Sequence, residues 1–157
     1  MHKPGFILFS LLCLAPSVSS GNELEGYYLG GGLSSNSLTG FSNAVGHQVF
    51  GGYDFGQVLG EANVMAEAGY WNSGRFSRSG QPGRPQAKGL WGTAVISLPL
   101  TGQWSLLGRA GLDFGDDDGL MVGLGGAWRL DRQWELRGEI VARDNTDSFQ
   151  FNALYRF

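Results

Sequence analysis

Ten ionised residues lie where a polar surface would not place them. Asp54, Glu67, Asp113, Glu135 and Glu139, with Arg109, Arg129, Arg137, Arg143 and Arg156, are each set among alternating apolar residues. Carboxylates and guanidinium groups in equal number can neutralise one another as buried ion pairs. Such a set contributes little net stability, yet removing one member strands its partner at a cost of about 3–5 kcal/mol. The same groups could instead line a narrow passage, with Glu67, Arg109, Arg137 and Glu139 at its constriction. A second group, Arg75, Arg78, Arg84 and Lys88, falls in a glycine- and proline-rich stretch and could contact phosphate groups.

Catalysis has less to work with. Beyond the apolar amino-terminal stretch the only histidine is His47. Ser42 and Asn43 are near it, but no His-x-Ser arrangement is present to activate a hydroxyl. Gly123-Leu-Gly125-Gly126 opens no helix and makes no nucleotide loop. Asp116 to Asp118 could hold a divalent ion, although the spacing does not match an EF-hand and a solvated turn is the plainer reading. No metal, no cofactor and no enzymatic activity are expected. A net charge of −3 without a basic stripe excludes nucleic acid as a partner.

The elements that must position these residues are strands. The chain has 157 residues, 27 of them glycine, a density that disfavours helices because each glycine costs about 1 kcal/mol relative to alanine. Residues 1–20 read as a secretory signal peptide: Lys3, an apolar run from Phe6 to Ala15, then Pro16 and small residues. Cys13 lies inside that run, so the mature chain, 21–157, carries no thiol and no disulfide. Leu12 before Cys13 argues against a lipid anchor.

From there, side chains alternate at period two in eight segments. These are Tyr27 to Ser34, about His47 to Phe55, Ala62 to Trp71, Gly89 to Leu98, Trp104 to Phe114, Leu120 to Leu130, Trp134 to Arg143 and Asp147 to Phe157. One face of each is apolar. The other holds the ionised residues and also Trp91 and Met65, which argue for a plugged interior. Arg156 on the last segment is within reach of Glu135 on the one before. Charge facing lipid near the midplane would cost about 2–4 kcal/mol, so this segregation is what a lipid-facing exterior demands.

Outward aromatics collect towards both ends: Tyr27, Tyr53, Phe55, Trp104, Trp128, Trp134, Tyr155 and Phe157 at one, Tyr70, Phe114 and Phe149 at the other. Short turns follow the fourth and sixth segments, and longer loops the first and third. The longest loop, Asn72 to Lys88, has no periodicity and is expected in solvent. The pattern predicts an all-β, eight-stranded, antiparallel, up-and-down transmembrane β-barrel. A soluble barrel would invert the polarity.

Phe50-Gly-Gly-Tyr53, Glu67-Ala-Gly-Tyr70, Arg137-Gly-Glu139 and the terminal Tyr155-Arg-Phe157 resemble, in order and spacing, the OmpA-type small outer-membrane barrel, without a peptidoglycan-binding domain. The resemblance implies export to the outer membrane of a Gram-negative cell. It implies that Tyr155 and Phe157 form the signal read by the outer-membrane assembly machinery. That family's interior network uses charges matching Glu67 and Arg137. Its strand-four lysine falls at Val95 and its strand-six glutamate has no match, which weighs against a gate of the same kind. The expected role is that of a non-enzymatic, monomeric surface barrel whose loops contact lipopolysaccharide, through Arg75, Arg78, Arg84 and Lys88, or an external partner. A small gated pore is the alternative, and a lipid A-modifying enzyme a distant third.

Overall fold

Alternating apolar and polar side chains can satisfy lipid on one side only if every backbone group is paired, which requires a sheet that closes on itself. The computed structural model describes residues 24–77 and 86–157. Its strands are β1 (Tyr27–Ser37), β2 (Ala44–Leu59), β3 (Ala62–Arg75), β4 (Gln86–Thr101), β5 (Trp104–Gly115), β6 (Gly119–Arg129), β7 (Trp134–Ala142) and β8 (Asp147–Arg156). Each pairs antiparallel with its sequence neighbours, and β8 closes on β1. At that seam Leu29 faces Tyr155 and Ser35 faces Phe149, and the Phe157 N–H donates to the Tyr27 carbonyl at 3.0 Å. Residues 1–20, expected to form a signal peptide, and Arg78 and Arg84 lie outside the described residues.

The strands tilt. Following paired residues sideways from Tyr28, near the turn end of β1, leads through Gly52, Glu67, Thr93 and Gly111 to Met121, near the loop end of β6. Inward residues far apart along their strands are thereby brought level with one another. Aromatic rings form a girdle at the turn end: Tyr27 on Tyr53 (4.8 Å), Tyr53 on Phe55 (5.0 Å), Trp104 stacked on Trp128 (5.6 Å) and Trp134 on Tyr155 (5.2 Å).

Two features depart from the period-two reading. The second segment is expected to end near Phe55, leaving 56–61 as a connection; instead β2 runs on through bulges between Asp54 and Leu59 to a two-residue turn at Gly60 and Glu61. After β3, Asn72 to Lys88 is expected in solvent, but β3 continues to Arg75 and β4 begins at Gln86. Gly74 adopts a φ of 76° at a bulge there, where a Cβ would lie 2.1 Å from the Val45 carbonyl oxygen. The extra residue reverses the alternation. Arg75 therefore faces outward and Phe76, at 1% exposure, is buried. Ser42 bridges to Ser77 above it.

Candidate functional site

The eight inward faces meet in a lumen filled by side chains, in three tiers. At the turn end, Arg156 binds Asp54 (3.0 Å) and Glu135 (3.1 Å), and Glu135 also takes the Arg137 Nε at 2.7 Å. In the middle, Glu67 accepts from the Tyr28 hydroxyl at 2.8 Å and from Arg137 Nη1. Arg109 grips Glu139 with both Nε (2.7 Å) and Nη2 (2.8 Å). The Arg109 Nη2 also approaches Glu67 Oε2 at 3.2 Å, an ion pair without hydrogen-bond alignment, since that oxygen accepts no directed bond. At the loop end, Arg143 holds Asp113 at 2.9 Å and the Ser148 hydroxyl at 3.1 Å. Ser148 donates to Asn36 Oδ1 (2.7 Å), and the Asn36 amide donates to the Ser73 carbonyl (2.8 Å) and Ser34 hydroxyl (2.9 Å).

Guanidinium groups also lie over aromatic rings. Arg143 stands 4.1 Å from the Trp71 ring centre, Arg109 5.5 Å from Trp91, and Arg156 and Arg137 at 5.1 and 5.5 Å from Tyr28. A desolvated cation over such a ring gains about 2 kcal/mol. Stacking therefore holds each arginine in place while its edge donates to carboxylates. Met65, Leu107, Met121, Val95, Val141 and Leu154 fill the space between.

Nine of the ten ionised residues expected in this interior are buried or nearly so. The exception is Arg129. It keeps the inward alternation, but β6 ends with it, so its side chain is 51% exposed and reaches Glu135 only at 3.9 Å. The expectation that all strand charges face inward also needs correction. Arg75, Lys88 and Asp147 face outward and are exposed, all at the loop end. Arg75 and Lys88 fall in strand extensions and Asp147 is the first residue of β8, so all three lie beyond the apolar band, where charge meets headgroups and water instead of hydrocarbon.

His47 is exposed on the outward face of β2, paired with Leu33 and Asn72. The Asp116 to Asp118 turn is more ordered than a solvated one. Asp117 is buried, and its Oδ1 accepts from both the backbone (3.0 Å) and the side-chain amide (2.8 Å) of Asn145 in the next loop. Among the described residues no group of three or more His, Cys, Asp or Glu is placed to hold a metal. Sequence reasoning passed over Asn36 and Asn145. Both are polar residues at a strand end or in a loop, and only the register gives them partners.

A family model described as outer membrane protein beta-barrel domain matches residues 5–157. No curated protein matches in sequence. The fold is similar to a de novo designed transmembrane β-barrel, with a TM-score of 0.60 at 13% identity over 85% of this chain and 97% of that one. It is similar to Ail of Yersinia pestis in a phospholipid bilayer nanodisc, with a TM-score of 0.60 at 14% identity over 83% of this chain and 98% of that one. Neisserial surface protein A gives a TM-score of 0.57 at 9% identity over 85% and 98%. At such identities the likeness is one of fold.

Proposed function

This chain belongs to the outer membrane protein β-barrel domain family and is a bacterial outer-membrane protein, and on that premise we propose that it is a sealed, non-enzymatic barrel that presents its loops at the cell surface. The short turns then face the periplasm and the loops the exterior. The observation that carries this reading is the packed lumen. Arg137, Glu139, Trp71, Trp91, Met65 and Leu154 are all under 2% exposed, spread through its tiers. A pore of this width would need those groups to part, and each separation would strand a buried charge.

On the outside, Arg75 and Lys88, with Arg78 and Arg84 from the same loop, are the groups that meet lipopolysaccharide phosphates. Tyr155 and Phe157, outward on the closing strand, are the residues read by the assembly machinery, and the barrel acts as a monomer. Lone and outward, His47 takes part in no lipid chemistry.

Conductance tests the sealed reading. Purified barrel in a planar bilayer should give no steady channels. Channels that open steadily and respond to Glu67→Gln or Arg137→Met would overturn it in favour of a small gated pore.

A further inference from the structure

The lipid-facing surface differs from one side of the barrel to the other. On β5 to β8 small outward residues such as Gly108, Ala110 and Gly138 are interleaved with bulky ones, among them Leu112, Phe114, Leu124, Ile140 and Phe151, all exposed. On β1 to β4 the outward residues at mid-height are small. Gly51 pairs with Ala68, Ala68 with Gly92, and Ala66 with Ala94. The result is an open apolar groove, floored by Gly51 and Ala68 and walled by Leu29, Val49, Tyr70 and Leu90.

Because paired rows climb around the barrel, the groove rises obliquely towards the loop end, where Leu90 forms its upper wall. The next outward residue on β4 is Lys88, and Arg75 faces outward on β3 just above, paired with Gln86. Neither side chain enters an ion pair among the described residues. The β5 to β8 side of the loop-end rim is acidic: Asp116, Asp118, Asp144 and Asp147 are exposed there. Asp116 accepts the Lys88 backbone N–H at 3.1 Å and so bounds the cationic sector.

We propose that this sector binds one phosphorylated glycolipid of the outer leaflet, with a phosphate on Lys88 and Arg75 and one acyl chain lying in the groove below. This rests on the reading above that these cations meet lipopolysaccharide, and it adds a fixed address and an apolar half to that contact. Charge selects the occupant. A phosphate is attracted here and repelled by the acidic rim of the β5 to β8 side, and the groove begins about where an acyl chain leaves such a headgroup. A chain seated in a preformed groove gains contacts that a bulky wall cannot offer, because a gap on one side forfeits those contacts outright.

Native mass spectrometry of the detergent-solubilised barrel, titrated with lipid A, with lipid A lacking its phosphates, and with phosphatidylcholine, tests both halves. The wild-type chain should retain one lipid A and prefer it to the dephosphorylated form. Ala68→Leu fills the floor without backbone strain and should weaken retention by about ten-fold, as removal of a few buried methylenes would. Gly92→Val is a second filling variant, since a Cβ there meets nothing closer than 3.9 Å. Gly138→Leu, on the opposite side where a Cβ meets nothing within 4 Å, should change nothing. Lys88→Gln with Arg75→Gln should abolish the preference for phosphate. If the filled variants bind like wild type while the charge variants lose lipid A, the groove is refuted and the cationic contact stands. If lipid A is not retained at all, both readings fall. A protein dimer that the filling variants dissociate would assign the groove to a second copy and overturn the proposal.

Discussion

The two halves of the barrel fill one lumen with different chemistry. Strands β1 to β4 send in Tyr28, Phe50, Trp71 and Trp91, and only two carboxylates, Asp54 and Glu67. The other half, β5 to β8 with the residue just after β7, supplies every arginine of the network, Arg109, Arg137, Arg143 and Arg156, along with Asp113, Glu135 and Glu139. The four cation–aromatic contacts all run from one half to the other. Ion pairs mostly tie the second half to itself, as in Arg109 with Glu139 and Arg143 with Asp113. What joins the halves is guanidinium on ring, plus two carboxylates: Glu67, which meets arginines of β5 and β7, and Asp54, which meets Arg156 of β8. Rings fill volume that paired charges alone would leave to water, and the charges supply the directionality that rings lack.

Breaking the charged half at its most shared member should have the largest effect. Arg137→Met keeps the volume but leaves Glu67 and Glu135 each short of a partner and removes one cation from Tyr28. A loss of about 3–5 kcal/mol is expected, read as a lower urea midpoint for unfolding from lipid vesicles. An unchanged midpoint would mean that the lumen is held by packing alone. Tyr28→Phe probes the aromatic half more gently. The ring stays beneath Arg137 and Arg156, but Glu67 loses a 2.8 Å donor. The expected cost is about 1–3 kcal/mol in the same assay.

A double-mutant cycle measures what joins the halves. With Trp91→Leu, Arg109→Met and the pair, the coupling should be about 0.5–2 kcal/mol for a desolvated cation on indole. Both singles disturb other contacts, Arg109 with Glu139 above all, so only the non-additive part reports the stacking. A coupling of zero would reduce the comparison to two independently packed halves.

How much of this was legible beforehand depends on whether a contact lies along a strand pair or across the lumen. Alternation alone separates inward Glu67, Arg109, Arg137 and Glu139 from the apolar exterior, because a strand flips every residue and lipid tolerates no charge. Arg156 with Glu135 is also readable, as neighbours on adjacent strands whose pairing places Leu154 opposite Glu135. Arg109 with Glu67 is not, because it joins β5 to β3 and depends on strand tilt, which period two does not encode. The bulge at Gly74 is hidden as well. One added residue turns Arg75 out and Phe76 in, and glycine in a glycine-rich sequence gives no distinctive signal. Boundaries were short at the loop end because strands there leave the apolar band, so alternation in hydrophobicity stops before alternation in direction does.

Arg129 marks where the charged half ends, and its replacement should have the smallest effect. It shares the inward alternation with Met121 and Ala127, yet it is the last residue of β6 and half of its side chain is in water. Its nearest carboxylate, Glu135, is already bound by Arg137 at 2.7 Å and Arg156 at 3.1 Å, against 3.9 Å to Arg129. Solvent screens a contact of that kind, and measured exposed pairs contribute about 0–1 kcal/mol. Arg129→Gln should therefore leave the urea midpoint within about 0.5 kcal/mol of wild type. A loss approaching that of Arg137→Met would place Arg129 inside the network, extend the low-dielectric lumen to the periplasmic mouth, and require Glu135 to be shared three ways. The depth at which arginine stops mattering would then measure where the sealed part of the barrel ends.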